Sequence, residues 1–115
     1  MNDIISIKEF ARREKAKILA NLKNQDFELA DMVAASGMSR SKYIAIFKMV
    51  FGKTPFAMVN ELRLKKAAQM IVSTHYKISR ISTKVGYADR HYFCRCFRAF
   101  FGMTTTEYRA QNQKK

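Results

Sequence analysis

The feature that most constrains this chain is an internal repeat. Leu29, Met32, Val33, Ser36 and Gly37 recur 49 positions later as Ile78, Ile81, Ser82, Val85 and Gly86. Ser39, Tyr43, Phe47, Lys48, Phe51, Gly52 and Thr54 then recur 50 positions later as Asp89, Phe93, Phe97, Arg98, Phe101, Gly102 and Thr104. Twelve correspondences with a single residue added after Gly86 mark a tandem duplication. Two copies do not make a solenoid, which needs about three or more.

Each copy reads as helix, turn, helix. Positions 29, 32, 33 and 36 step i, i+3, i+4, i+7, as do 78, 81, 82 and 85, which lays an apolar stripe on a short helix. Gly37 or Gly86 follows, where a helix C-terminus favours a left-handed residue. Ser39 and Asp89 then stand as N-caps, each with an oxygen that can accept an orphan backbone N–H. A second helix is predicted over about 39–51 and about 89–101. It should bury Tyr43, Ile46, Phe47 and Val50 in one copy and Phe93, Cys96, Phe97 and Phe100 in the other. Gly52 and Gly102 stop it. This is the signature of a helix-turn-helix.

Between the copies, Thr54-Pro55 opens a longer helix to about Ser73. Upstream, Ser6 and Glu9 have capping-box spacing, which predicts a helix from Ser6 to about Leu22 with a solvated, charged middle at Arg12–Lys17. A short last helix is expected after Thr106, around Glu107–Arg109, with a frayed tail from Gln111 to Lys115. The predicted fold is all-α, about seven helices: one domain over 1–115, with helix-turn-helix units at about 28–51 and 78–101 joined by a linker helix at about 55–73. Only four Gly and one Pro punctuate the chain, which suits long helices and short turns.

Charge then points to the partner. Twenty-two Lys and Arg against nine Asp and Glu leave +13, and such an excess attracts polyanions. It is uneven: residues 54–115 hold twelve basic and three acidic side chains. With Phe93 and Phe97 turned inward, Arg90, His91, Cys94, Arg95 and Arg98 form the outward stripe. The matching residues in the first copy are Arg40, Ser41, Ile44, Ala45 and Lys48. Arg90, His91 and Arg95 suit base edges, Arg with guanine O6 and N7 above all. Arg98 and Lys48, a turn deeper, suit phosphates. Arg40 and Ser41 are the polar readers of the first copy, while Ile44 and Ala45 offer apolar contact to thymine methyls. Double-stranded DNA is the expected partner.

Other classes fit less well. Three acids after residue 53, two His, and no nucleophile triad, phosphate loop or metal cluster argue against an enzyme, a cofactor or a metal site. An RNA-binding protein would show aromatic stacking platforms, whereas these aromatics fall on the inward stripes. A protein-interaction module with an incidental basic face is the third alternative. No apolar run approaches the ~20 residues that span a bilayer. Cys94 and Cys96, ~200° apart on a helix, cannot pair with each other and are expected to be reduced thiols. His75 is expected at the surface, Lys65 and Lys66 solvated, and Arg63 acting as a brace between the two halves.

The segments SGMSRSKYIAIFKMVFGKTP (36–55), RLKKAAQMI (63–71) and ISRISTKVGYADRHYFCRCFRAFFGMTTTEYR (78–109) resemble the AraC/XylS family of bacterial transcription regulators. The resemblance covers about 20–110. It implies two recognition helices entering successive major-groove segments on one DNA face, about one turn (~34 Å) apart. It also implies transcription regulation, usually activation through RNA polymerase, in a prokaryotic cytoplasm at the nucleoid. Val33 and Ser82 stand where the family favours Ala, Tyr87 where it has Phe, and Thr105 where it has Pro. No small-molecule effector or dimerisation segment is legible, so a modular domain of a longer regulator is expected.

Overall fold

A computed structural model describes residues 3–113. Among them are seven α-helices and no strand: α1 (Asp3–Ala20), α2 (Leu29–Ser36), α3 (Arg40–Phe51), α4 (Pro55–Ser73), α5 (Ile78–Lys84), α6 (Arg90–Phe101) and α7 (Thr105–Asn112). The all-α class with two helix-turn-helix units is therefore observed, α2–α3 and α5–α6. The chain divides into two compact units. The first comprises the described residues up to Asn21 with Asp26–Asn60; the second comprises Leu22–Gln25 with Glu61–Lys115.

In the first unit, α1 and α2 pack on α3. Tyr43 and Phe47, one turn apart on α3, are fully buried with ring centroids 5.9 Å apart. Phe10 of α1 closes over both, at 5.7 Å and 6.3 Å. Phe10, Glu14 and Ile18 follow at i, i+4 and i+8 and share one face of α1. Glu14 is thus carried inside with its apolar neighbours and is 0% exposed, which corrects the expectation of a solvated middle at that position, while Arg12, Arg13 and Lys15 are exposed. Its carboxylate accepts the Tyr43 hydroxyl at 2.7 Å and pairs with Arg13 at 3.3 Å and Lys17 at 3.2 Å. Burial first, then the Glu14 carboxylate, holds the Tyr43 phenol well above its ordinary range.

The second unit repeats the pattern on α6. Phe93 and Phe97 are fully buried, with ring centroids 5.9 Å apart. Leu64, Ala67, Ala68 and Ile71 of α4 and Ile81 and Val85 on and just after α5 complete this core. Tyr108 of α7 packs on Phe97 at 5.4 Å and Phe101 at 5.2 Å, drawing the core towards that side of the last turn. Phe100, expected inside, is consequently 45% exposed and rests edge-on against Phe101. Cys96, Ile46 and Val50, also expected inside, are half-buried.

Three helix ends differ from expectation. α1 begins at Asp3, not Ser6, and ends at Ala20. No Gly or Pro separates Asp3 from Ser6, and Ser inside a helix costs only tenths of a kcal/mol (about 0.5). α7 begins at Thr105, because Thr104 rather than Thr106 is the cap and forms a capping box with Glu107. The tail is ordered as far as Gln113, whose amide donates to the Ile71, Val72 and Thr74 carbonyls at the C-terminal end of α4. Arg109 joins it there, donating to Ile71 and Thr74. A cation and an amide on orphan carbonyls replace solvent at a helix terminus. Lys114 and Lys115 lie outside the described residues.

Tyr43→Phe removes the hydroxyl donor from a fully buried carboxylate without removing the ring. We expect a loss of about 1–3 kcal/mol in denaturant unfolding, with helix content unchanged. Stability equal to the parent chain would show that Glu14 does not depend on this bond.

Candidate nucleic-acid interface

The two second helices are built alike. Ser39 accepts the Lys42 N–H at 3.3 Å, and Asp89 accepts the N–H groups of His91 and Tyr92 at 2.8 Å and 3.4 Å. Both caps do what their spacing predicts. Each helix runs twelve residues and ends at a left-handed glycine, φ 75° at Gly52 and φ 76° at Gly102. The glycine N–H returns to Lys48 in one and Arg98 in the other, at 2.8 Å in both. Equal length, equal stops and equal inward pairs make residue n in α3 the counterpart of residue n+50 in α6.

With the inward direction fixed, the candidate residues can be placed. On α6, Arg90, His91, Arg95 and Arg98 are exposed. Cys94 is half-buried and packs against the core, so its thiol lies at the edge of the stripe. On α3, Arg40, Ser41, Ala45 and Lys48 are exposed, and Ile44 is half-buried like its counterpart Cys94. α6 also separates charge from apolar surface more sharply than α3. Arg95 is held over the Tyr92 ring, 5.7 Å from its centroid. The neighbouring Cys96 thiol, together with burial, keeps the Tyr92 phenol above its ordinary range. A guanidinium parked on an aromatic face has fewer rotamers to lose when it binds.

One cationic group escaped the residue-by-residue reading. Lys77, Arg80 and Lys84 follow at i, i+3 and i+7, one face of α5 and its N-cap. All three are exposed, with the Arg80 guanidinium 4.1 Å and the Lys84 ammonium 5.8 Å from the Tyr76 ring centroid. Their spacing was the signal that marked them. His75 is exposed, as expected, and Lys65 pairs with Glu61 at 2.9 Å. Both cysteines are free thiols. Among the described residues, no His, Cys, Asp and Glu groups are placed to hold a metal ion. Nor is any helix long and apolar enough to cross a membrane.

A family model described as a helix-turn-helix domain matches residues 32–111. The chain belongs to the AraC/XylS family of helix-turn-helix regulators. It is 34% identical over 92 residues to the transcriptional activator RhaR of Mannheimia succiniciproducens, covering 80% of this chain and 33% of that protein. It is 33% identical over 106 residues to histidine kinase P4 of Formosa agariphila, covering 91% of this chain and 8% of that protein. Among solved structures, the C-terminal domain of AraT, a response regulator from Geobacillus stearothermophilus, matches at TM-score 0.86 and 25% identity, over 90% of this chain and 86% of that one. The DNA-binding domain of AdpA, solved with a target DNA, shares the fold at TM-score 0.82 and 21% identity, over 87% and 89% of the two chains. This family's helix-turn-helix domain binds DNA in the service of transcription regulation. The chain spans at most a third of the curated relatives compared, 33% for RhaR and 8% for the kinase.

The two caps can be ranked. Asp89 carries a full charge at a helix N-terminus and serves two N–H groups, one of them at 2.8 Å, whereas Ser39 serves one at 3.3 Å. Asp89→Ala should therefore cost about 1–2 kcal/mol and Ser39→Ala about 0.5–1 kcal/mol in thermal or denaturant unfolding. The reverse order would show that the turns, not the caps, set the start of α3 and α6.

Proposed function

We propose that α3 and α6 each enter the major groove of one duplex, in successive segments, and that α6 supplies most of the polar base discrimination. The observation that carries this reading is the exposed set Arg90, His91 and Arg95 on a capped helix whose opposite face is buried at Phe93 and Phe97. Arg95 and Arg90 match guanine O6 and N7, and His91 can donate or accept at a base edge. Arg98 and Lys48 engage phosphates, with Lys77, Arg80 and Lys84 extending that track. In α3, Arg40 and Ser41 give polar contact, and Ala45, with the rim of Ile44, meets thymine methyls. Cys94 contributes at most the edge of its thiol.

The chain acts as the DNA-reading part of a longer regulator, in keeping with the fraction of its relatives that it spans. The parent protein activates transcription by touching RNA polymerase; the Mannheimia relative is itself described as a transcriptional activator. It works at the nucleoid in a prokaryotic cytoplasm. No effector molecule is assigned to this segment.

Two measurements test the reading. Because a +13 chain must displace condensed counterions, about 6–8 phosphate contacts give a log–log salt slope near −5 to −7. A slope shallower than about −2 would place the basic excess away from the duplex. In binding-site selection, Arg95→Ala should relax preference at one or two base positions, worth ~1–3 kcal/mol. Lys48→Ala should weaken all sequences alike, and Ile44→Ala should modestly alter thymine preference. Unchanged preferences for Arg95→Ala with scrambled ones for Ile44→Ala would invert the assignment of roles.

A further inference from the structure

The duplicated turns differ in how their glycines are packed. At Gly37, an added Cβ would meet nothing within 4 Å; at Gly86, its counterpart, it would run into the Leu22 carbonyl oxygen and Arg63, with Nε 2.8 Å away. The backbone there has φ +102°, which side-chain-bearing residues rarely adopt. The connector between α1 and α2, Leu22–Gln25, belongs by its contacts to the second unit. Arg63 of α4 fixes it, donating from Nε to the Leu22 carbonyl at 3.0 Å and from a terminal nitrogen to the Asn24 carbonyl at 2.9 Å. The same guanidinium lies 5.9 Å from the ring centroid of Tyr87. Gln25 closes the far end, its amide donating to the Tyr87 carbonyl at 3.4 Å.

Tyr87 lies in the second turn, which is one residue longer than the first. It is 5% exposed, and its ring packs on Phe93 at 5.1 Å and Tyr92 at 6.2 Å. A continuous line of contacts therefore runs from Arg63 through the connector to the turn, and from Tyr87 to the first turn of α6. We propose that Arg63 is a positioning residue for base reading by α6, acting through the Leu22–Gln25 connector and the Gly86–Tyr87 turn. Its planar fork reaches two carbonyls and an aromatic face together, a geometry that lysine cannot reproduce. A bidentate base contact tolerates little misplacement, so a slack turn costs discrimination before it costs folding. The inference rests on the reading of α6 as the base-reading helix.

The test is binding-site selection on the whole chain with a randomised duplex, using Arg63→Ala, Arg63→Lys, Gln25→Ala and Arg95→Ala, each with its melting temperature. We expect Arg63→Ala to lose at least about fivefold discrimination at the positions that Arg95→Ala relaxes, and nothing at those affected by Ile44→Ala. Arg63→Lys should recover only part of it. Folded Arg63→Ala with unchanged preferences, or with equal losses at both sets of positions, overturns the proposal. Should Arg63→Ala fail to fold, Arg63→Lys and Gln25→Ala decide, since unchanged preferences in both overturn it equally. If Arg95→Ala itself alters nothing, the reading of α6 has failed. Arg63 is then judged by amide exchange at Gly86–Asp89, which should quicken at least about tenfold in Arg63→Lys or Gln25→Ala and overturns the proposal if unchanged.

Discussion

Everything that the surface does here depends on where two pairs of aromatic rings point. Tyr43 with Phe47, and Phe93 with Phe97, are spaced one helical turn apart and lose all solvent contact. Burying such rings is worth about 1.5–3 kcal/mol each, far more than any surface preference that might rotate the helix about its axis. Once they face inward, the outward residues of α3 and α6 have no freedom in direction. The ring distances repeat between copies: 5.9 Å within each pair, then 4.4 Å from Phe47 to Phe51 and 4.5 Å from Phe97 to Phe101. The duplication has conserved a core geometry while letting the surface chemistry diverge, Arg95 against Ala45 and Cys94 against Ile44.

The same pairs explain why so much was legible in the sequence. Helix α4 has the expected limits, and α3 and α6 start one residue after their expected caps, because caps, glycine stops and 3.6-residue periodicity are local signals. The directions of Arg40, Ser41, Ala45, Lys48, Arg90, His91, Arg95 and Arg98 followed from the buried pairs alone. What failed were judgements that need a tertiary partner. Glu14 looks solvated in a run of charges, and only the Phe10 and Ile18 stripe facing Tyr43 carries it inside. Phe100 looks buried by periodicity, yet Tyr108, on the next helix, draws the core to the other side. Gln113 looked like fraying tail because nothing local shows that α4 ends beside it. Ile44 and Cys94 fall on the boundary between inward and outward faces, where periodicity does not decide.

Several charged and polar groups serve the backbone. Arg109 and Gln113 close the carbonyl end of α4, and Asp89 and Thr104 close N–H ends. The basic excess left at the surface is therefore smaller than the raw count implies, and the stripes of α3 and α6 and the face of α5 carry part of it. Arg63 shows the distinction most clearly. It sits in the same basic half as Arg90 and Arg95, yet its guanidinium is spent on two carbonyls, and burial lowers its affinity for the proton.

The packed glycine has a consequence for how such a duplicated chain can diverge. Right after duplication, Gly37 and Gly86 stood at equivalent places and carried equal freedom to vary. Gly37, facing open space, can still drift to asparagine, which tolerates the left-handed region at modest cost. Gly86 has lost that freedom, because the connector occupies the volume into which any side chain would grow. The two copies of the turn thus differ in the substitutions they can accept, one open to a side chain and the other locked by a neighbour.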